Sequence, residues 1–274
     1  MISVELLCGD SVDFRQRGIQ LMLWSTPYPG LRGFGVSVEK YLSEWLPSRL
    51  AVVRDSLWPD TGVYAQVVKF PRRQGDDGGS WFDSRVFQIL PLLEGFGFGV
   101  IDVYPWDKLN APPSGNHKRH DRDAYEIVIV AGMSPDYTYN KWRKPYSKKS
   151  VAKAKSGNYR KSDVAGSLSG GHNKLNKKGA AADNVLRISS SGDQGRPRAS
   201  GGSFPRQLAE RAITQYSDPG DIVADLCCGV GTTLYEAVRL GRSAVGVDID
   251  CGELDVAEKW IPEVYDGEIV RRIL

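Results

Sequence analysis

The sequence predicts an α/β fold, because short apolar strand-like runs alternate with segments of helical periodicity along most of the chain. Two further observations support it. A strand-like run, a glycine-rich turn and a helical segment follow one another at 222–240, and a single long stretch, 133–202, breaks the alternation. At 274 residues the chain is long enough for one large domain that carries an insert.

In order along the chain, the apolar run from Gln20 to Trp24 stops at Ser25-Thr26-Pro27-Tyr28-Pro29-Gly30, as a buried strand does on entering a turn. Val38, Tyr41, Leu42, Trp45 and Leu46 recur at helical spacing. Pro47 is expected to break that helix, which Leu50, Val53 and Leu57 resume. A strand over Gly62 to Phe70, a helix over Ser84 to Leu93 and strands over Phe98 to Tyr104 and Tyr125 to Ala131 follow. Between Met133 and Gly202 the composition shifts to Lys, Ser, Gly and Asn, with too few large apolar residues to build a core. Beyond it, a helix from Pro205 to Tyr216 leads through Asp218-Pro219-Gly220-Asp221 into a strand, Ile222 to Leu226. The expected remainder is a helix over Leu234 to Leu240, a strand over Ser243 to Val247, a helix over Glu253 to Trp260 and a last strand over Gly267 to Leu274.

The net charge of +3 hides an asymmetry: residues 141–178 hold twelve Lys or Arg against one acid, Asp163, which leaves 24 basic against 32 acidic residues, or −8, elsewhere. An acidic body with one basic segment points to a polyanionic partner that binds in one place. No apolar stretch approaches the ~18–20 residues that cross a bilayer, and Met1 to Glu5 do not read as a secretion signal, so a cytoplasmic protein with no membrane partner is expected. Cys8, Cys227, Cys228 and Cys251 show neither metal-ligand spacing nor a disulfide framework, which suggests reduced thiols.

The segment Asp225-Leu226-Cys227-Cys228-Gly229-Val230-Gly231-Thr232-Thr233 joins a predicted strand to a predicted helix. Its glycines let the backbone turn sharply and approach a ligand, with helix N-terminal amides facing it. Asp248 ends the next strand, 19 positions after Gly229, near the ~20-residue offset at which a carboxylate accepts from ribose hydroxyls. No Lys follows the second glycine, so this is not a P-loop, and the helix end is left for a smaller anion such as a carboxylate.

Phe204-Pro205, Asp218-Pro219-Gly220-Asp221, the Gly229 to Thr233 turn and Val245-Gly246-Val247-Asp248 resemble, in that order, the cofactor half of the amino-DNA methyltransferases. The resemblance implies that Gly229, Gly231 and Thr232, within the turn that Asp225 opens, meet the methionine part of S-adenosylmethionine. It also implies that Asp248 holds the ribose, Phe204 lines the pocket and Asp10, in Cys8-Gly9-Asp10, lies close to the adenine. Ser25-Thr26-Pro27-Tyr28 is similar to the family's catalytic motif, an acidic, amide or serine residue before Pro-Pro-Tyr or Pro-Pro-Phe. Thr26 departs from it at the first proline, where the family uses a backbone carbonyl. The Ser25 hydroxyl and Thr26 carbonyl then act as acceptors for the target amine, and Tyr28, which follows the motif's Pro27, offers a flat wall to a flipped base. Gly62 to Lys69, Trp106-Asp107-Lys108 and Tyr125-Glu126 resemble neighbouring strand motifs.

Catalytic half, variable insert and cofactor half, in that order, are the permuted arrangement of the β class. The resemblance therefore implies a Rossmann-like methyltransferase sheet with helices on both faces, made of 1–132 and 203–274, with 133–202 as a basic target-recognition insert. There Lys141, Trp142, Arg143, Lys144, Lys148 and Lys149 mix cations with an aromatic ring, a combination suited to phosphate contact and base stacking; a solvated lysine-rich linker is the alternative for 150–180. His117 and His120 lack nearby partners for zinc, and no metal site is expected. No cysteine follows a proline, so the nucleophile of the cytosine C5 enzymes is missing. The expected reaction is methyl transfer from S-adenosylmethionine to an exocyclic nitrogen of a base in duplex DNA. The leading serine resembles that of the cytosine N4 enzymes, where Asp or Asn is typical of adenine N6 enzymes, so the resemblance implies cytosine N4, with adenine N6 as the alternative. An inert DNA-binding homologue and RNA as substrate stay open, as do a cognate restriction endonuclease and a monomer or homodimer.

Overall fold

The computed structural model describes residues 2–30, 34–74, 80–110, 121–156, 175–190, 197 and 202–274. Strand β1 (Val4–Cys8) leads to β2 (Leu21–Ser25), then to a helix built of α1 (Val38–Lys40), a π turn (Tyr41–Trp45) and α2 (Leu46–Ser56). Next come β3 (Val63–Val68), the small pair β4 (Arg73–Gln74) and β5 (Ser80–Trp81), α3 (Ile89–Gly95), β6 (Gly99–Asp107) and β7 (Tyr125–Gly132). After β8 (Arg143–Lys144), α4 (Lys148–Ser156), β9 (Ala180–Ala181) and β10 (Leu186–Arg187), the chain continues through α5 (Arg206–Tyr216), β11 (Ile222–Asp225) and α6 (Thr232–Arg239). It closes with β12 (Ser243–Asp248), α7 (Cys251–Trp260) and β13 (Ile269–Ile273).

Nine strands form one sheet in the order β10-β6-β7-β3-β2-β11-β12-β1-β13, in which β7 alone runs against the rest. Side chains alternate between faces along a strand, and both faces here are apolar. Leu21 and Leu23 of β2 join a buried cluster with Leu208 and Ile213 of α5, Leu234 of α6 and Leu254 of α7. Met22 and Trp24 join the opposite cluster, with Tyr41, Leu50 and Val53 from the first long helix and Ile89 and Leu93 of α3. Helices thus cover both faces, the Rossmann-like architecture expected from the sequence.

Three expectations are corrected. Pro47 does not interrupt its helix, because the π turn just before it, with Leu46 N–H bonded to Tyr41 C=O, relieves the clash that proline causes in a regular helix. Val4–Cys8, not read as a strand and assigned to the catalytic half, pairs in parallel with β12 and β13 and so belongs to the cofactor side. The boundaries 133–202 are wider than the compact unit within them, Lys141–Asp183, since Asn140 bonds to Gln215 and Ser217 and β10 pairs with β6.

A second compact unit spans Lys141–Asp183. Within it β8 and β9 pair antiparallel, Asn176 N–H donates to the Tyr146 hydroxyl, and the Ser147 hydroxyl accepts from Ser150 N–H at the start of α4. Among the described residues no helix is long and apolar enough to cross a membrane.

Candidate active site

The parallel sheet brings the ends of β1, β2, β3, β6, β11 and β12 to one edge, and the reversed strand β7 starts there. Ligands of open α/β sheets bind beyond such carboxyl ends, where the chain crosses from one side of the sheet to the other. Here that place lies between β2 and β11, so the sequence-distant segments 25–28 and 225–232 sit on adjacent strands.

The turn after β11 is braced from within. Gly229 and Gly231 adopt left-handed backbone, with φ of +50° and +84°, and Gly231 ends the turn at the N-terminus of α6. A Cβ on Gly231 would lie 3.0 Å from that of Ala257, so α7 packs tightly behind it. Asp248 accepts from Gly229 N–H at 2.7 Å and from Asp250 N–H at 2.9 Å. Burial pushes the Asp248 carboxyl up, although both hydrogen bonds oppose this. Asp225 is buried, and its two oxygens accept from Cys227 N–H and the Thr233 hydroxyl, so it shapes the turn instead of facing outwards. Its burial, against those two hydrogen bonds, raises its pKa to about 7. The Thr232 hydroxyl is buried without a hydrogen-bond partner among the described residues.

Asp10 follows β1, which pairs Cys8 with Asp248, and Gly9 N–H donates to the Asp248 carbonyl at 2.9 Å. Its carboxylate is held by Val12 N–H and by Arg49, which in turn lies over the Trp45 ring. Phe204 is buried in the cluster that holds Leu208 and Leu234. Cys8 and Cys251 are bonded as a disulfide, with Cα atoms 5.4 Å apart, which corrects the expectation of four reduced thiols. A separation of 243 residues carries no spacing signal; the β1–β12 pairing is what brings the two together. Burial pushes the Cys227 and Cys228 thiols well up, so neither serves as a thiolate nucleophile.

Ser25 ends β2, half-buried, and Tyr28 lies in the turn beyond it. The Tyr28 hydroxyl donates to Glu126 Oε2 at 2.6 Å, and Lys108 Nζ grips Oε1 of the same carboxylate. Lys108 also sits 4.9 Å above the Trp106 ring. Burial first, then the Glu126 charge, drives the Tyr28 phenol well up, while a hydrogen bond with Ser25 opposes the shift. Tyr28 therefore stays a neutral phenol with a fixed ring. Beside it, Glu126 helps line a cleft with Phe70, Phe82, Phe87, Tyr125 and Lys69. Lys108 and Glu126 stand in motifs legible in the sequence, but the chain of contacts from Lys108 through Glu126 to the Tyr28 hydroxyl emerges only from the β6–β7 register.

Within the Lys141–Asp183 unit, Arg143 donates to the Gly179 carbonyl at 2.9 Å and Lys144 pairs with Asp183. Lys141, Lys148 and Lys149 are exposed and Trp142 is half-buried. His117 and His120 lie outside the described residues.

Known proteins share this framework. Type II methyltransferase M1.MboII of Moraxella bovis is 27% identical over 259 residues, covering 90% of each protein. Type II methyltransferase M.MthZI of Methanothermobacter thermautotrophicus is 39% identical over 72 residues, 26% of this chain and 20% of that protein. Among solved structures, the PvuII DNA methyltransferase, described as cytosine-N4-specific, superposes with a TM-score of 0.68 at 19% identity, covering 99% of this chain and 96% of that one. A putative DNA modification methylase of Thermus thermophilus, complexed with S-adenosyl-L-methionine, gives 0.62 at 20% identity over 99% of both chains. A family model described as DNA methylase matches residues 19–259, and by that match over most of its length the chain belongs to the DNA methylase family of N6- and N4-methyltransferases.

Proposed function

We propose that this chain transfers a methyl group from S-adenosylmethionine to the exocyclic N4 of a cytosine flipped out of duplex DNA. The observation that carries the reading is the meeting, on adjacent strands, of the glycine turn at 229–232 with the Ser25–Tyr28 turn.

The residues present suit the cofactor. The buried Thr232 hydroxyl lacks a partner within the described chain, and the position above Gly229 is open, with the nearest side-chain atom, on Glu253, 4.0 Å from a Cβ placed there. Gly229, Gly231 and Thr232 would hold the methionine end, Asp248 the ribose, and Asp10 and Phe204 the adenine side, while Asp225 keeps the turn in shape. When bound, S-adenosylmethionine supplies an electrophilic sulfonium methyl.

The base amine is a poor nucleophile because its lone pair is delocalised into the ring. The Ser25 hydroxyl and Thr26 carbonyl accept its two N–H groups and favour the pyramidal geometry in which the lone pair points outwards. Tyr28, its hydroxyl tied to Glu126, presents a ring face that offsets part of the unstacking cost. Neither Ser25 nor the neutral Tyr28 is a base strong enough to remove a proton first, so methyl transfer precedes proton loss. Ser25 supports cytosine N4 by resemblance, since a serine at this position is similar to the motif of the cytosine N4 enzymes, whereas Asp or Asn is typical of the adenine N6 enzymes.

The test is to incubate unmethylated duplex DNA with isotope-labelled S-adenosylmethionine, digest to nucleosides and identify the labelled base by mass spectrometry. Label in N4-methylcytosine is expected. Label in N6-methyladenine overturns the base, and no label on DNA or RNA despite cofactor binding makes the protein an inert homologue.

A further inference from the structure

A closed polar network lies directly beneath the Ser25–Tyr28 turn, in a part of the core that is otherwise apolar. The Thr26 hydroxyl accepts from the Tyr41 hydroxyl at 2.7 Å and from Gln66 Nε2 at 3.0 Å. Gln66 Nε2 also reaches the Tyr41 oxygen at 2.8 Å, and Gln66 Oε1 accepts from the Tyr64 hydroxyl at 2.6 Å. Thr26 is 1% exposed and the other three are fully buried, so no solvent replaces a lost partner. Leaving any of these groups unpaired carries a desolvation cost, so the network has few alternative arrangements.

The members come from three different parts of the fold. Gln66 and Tyr64 belong to β3, which pairs with β2 through Ser25 and Val67. Tyr41 opens the π turn, a local widening of the helix that is frequent at functional sites. Its ring is wedged between Trp45, stacked at 5.2 Å, and Phe70, edge-on at 5.6 Å, so the hydroxyl has one direction to point.

From this we infer that Tyr41 and Gln66 are positioning residues that aim the Thr26 carbonyl at the target amine. Thr26 is β-branched and stiff about χ1, and Pro27 after it restricts its backbone to extended conformations. Two hydrogen bonds on the hydroxyl then fix the remaining freedom of the residue, and the carbonyl with it. The inference rests on the proposed role of Thr26 as an acceptor for the base amine, and assigns the control of that acceptor to two residues remote from substrate.

The test compares steady-state methylation, cofactor binding and melting temperature for wild type, Tyr41→Phe, Thr26→Val, their double variant and Thr26→Ser. Tyr41→Phe removes one oxygen and keeps the wedged ring. It is expected to lower kcat about tenfold or more, as small misplacements of a reacting group do. KM for DNA and Kd for S-adenosylmethionine are expected to stay within about twofold, since the change is one of orientation and not of binding. The double variant should be no slower than Thr26→Val, because both act on one carbonyl, and Thr26→Ser should retain most turnover. A wild type that methylates either base while Tyr41→Phe matches its kcat overturns the inference alone. Loss of kcat together with cofactor affinity and melting temperature also overturns it, by reducing the network to a fold-stabilising one. A wild type without any methyl transfer overturns the functional reading and, with it, this role.

Discussion

At the scale of single residues, the two halves of the site fail in different ways when altered. Tyr28 touches the proposed base position and takes no part in the glycine turn, whereas Asp248 clamps Gly229 N–H and reaches the cofactor side only. Tyr28→Ala is expected to reduce kcat by about 10² or more with little change in cofactor Kd. Asp248→Ala should do the reverse, weakening S-adenosylmethionine by calorimetry while sparing kcat at saturation. Equal loss of both quantities in either variant contradicts the division. Glu126 is the counterpart beneath Tyr28: its side chain is 7% exposed and neutralises Lys108. Glu126→Ala strands that ammonium, at an expected cost of about 3 kcal/mol in unfolding free energy. Glu126→Gln keeps an acceptor for the Tyr28 hydroxyl and should preserve more turnover than the alanine variant; comparable activity of the two would remove the tether from the mechanism.

Elements carry the next set of consequences, because the glycine turn is held by buried carboxylates and by a covalent link. Asp225 has a pKa of about 7 in the folded protein against an ordinary 3.8, owing first to burial. The folded state therefore binds its proton more tightly than the unfolded chain does. Stability through this group is highest below about pH 4 and falls by about 1.4 kcal/mol per unit as pH rises towards 7, beyond which the loss is complete. Asp225→Asn should flatten this part of the stability profile, and denaturant titrations between pH 5 and 8 that show the same slope in both proteins would refute the assignment. The Cys8–Cys251 disulfide joins the end of β1 to the start of α7, either side of Asp248. A dithiol reductant is expected to lower wild-type stability by about 2–4 kcal/mol and to leave Cys251→Ala unchanged. An identical melting temperature for wild type with and without reductant argues against the link. Neither feature was legible in the sequence, since burial of Asp225 and pairing across 243 residues arise only when β1, β11 and β12 are assembled. The glycine turn itself was legible, because left-handed backbone and a following helix demand a particular local sequence. Pro47 misled for the converse reason: its usual effect on a helix is local, and the π turn that accommodates it has no sequence mark.

For the molecule as a whole, the order of segments was readable because the residues at strand ends are chemically distinctive, while the boundaries of the insert were not. Lysine-rich composition marks the region 133–202, but Leu186 and Ile188 return to the core within it, and a run as short as Val185-Leu186-Arg187-Ile188 is too brief to give a periodic signal. The narrower unit, Lys141–Asp183, keeps the concentration of basic residues on which the proposed DNA contact rests. In that unit Arg143 and Lys144 are engaged by the chain, to the Gly179 carbonyl and Asp183, while Lys141, Lys148 and Lys149, exposed like Lys144, form no salt bridge among the described residues. Those three lysines are thus the stronger candidates for phosphate contact. Each phosphate neutralised on duplex DNA contributes about 0.9 to the slope of log affinity against log salt through counterion release. Replacing all three with alanine is expected to weaken DNA binding at low salt and to flatten that slope by up to about 3, with cofactor affinity unchanged. Titrations of labelled duplex at several salt concentrations measure this directly, and an unaltered slope would assign the DNA-binding charge to other parts of the chain.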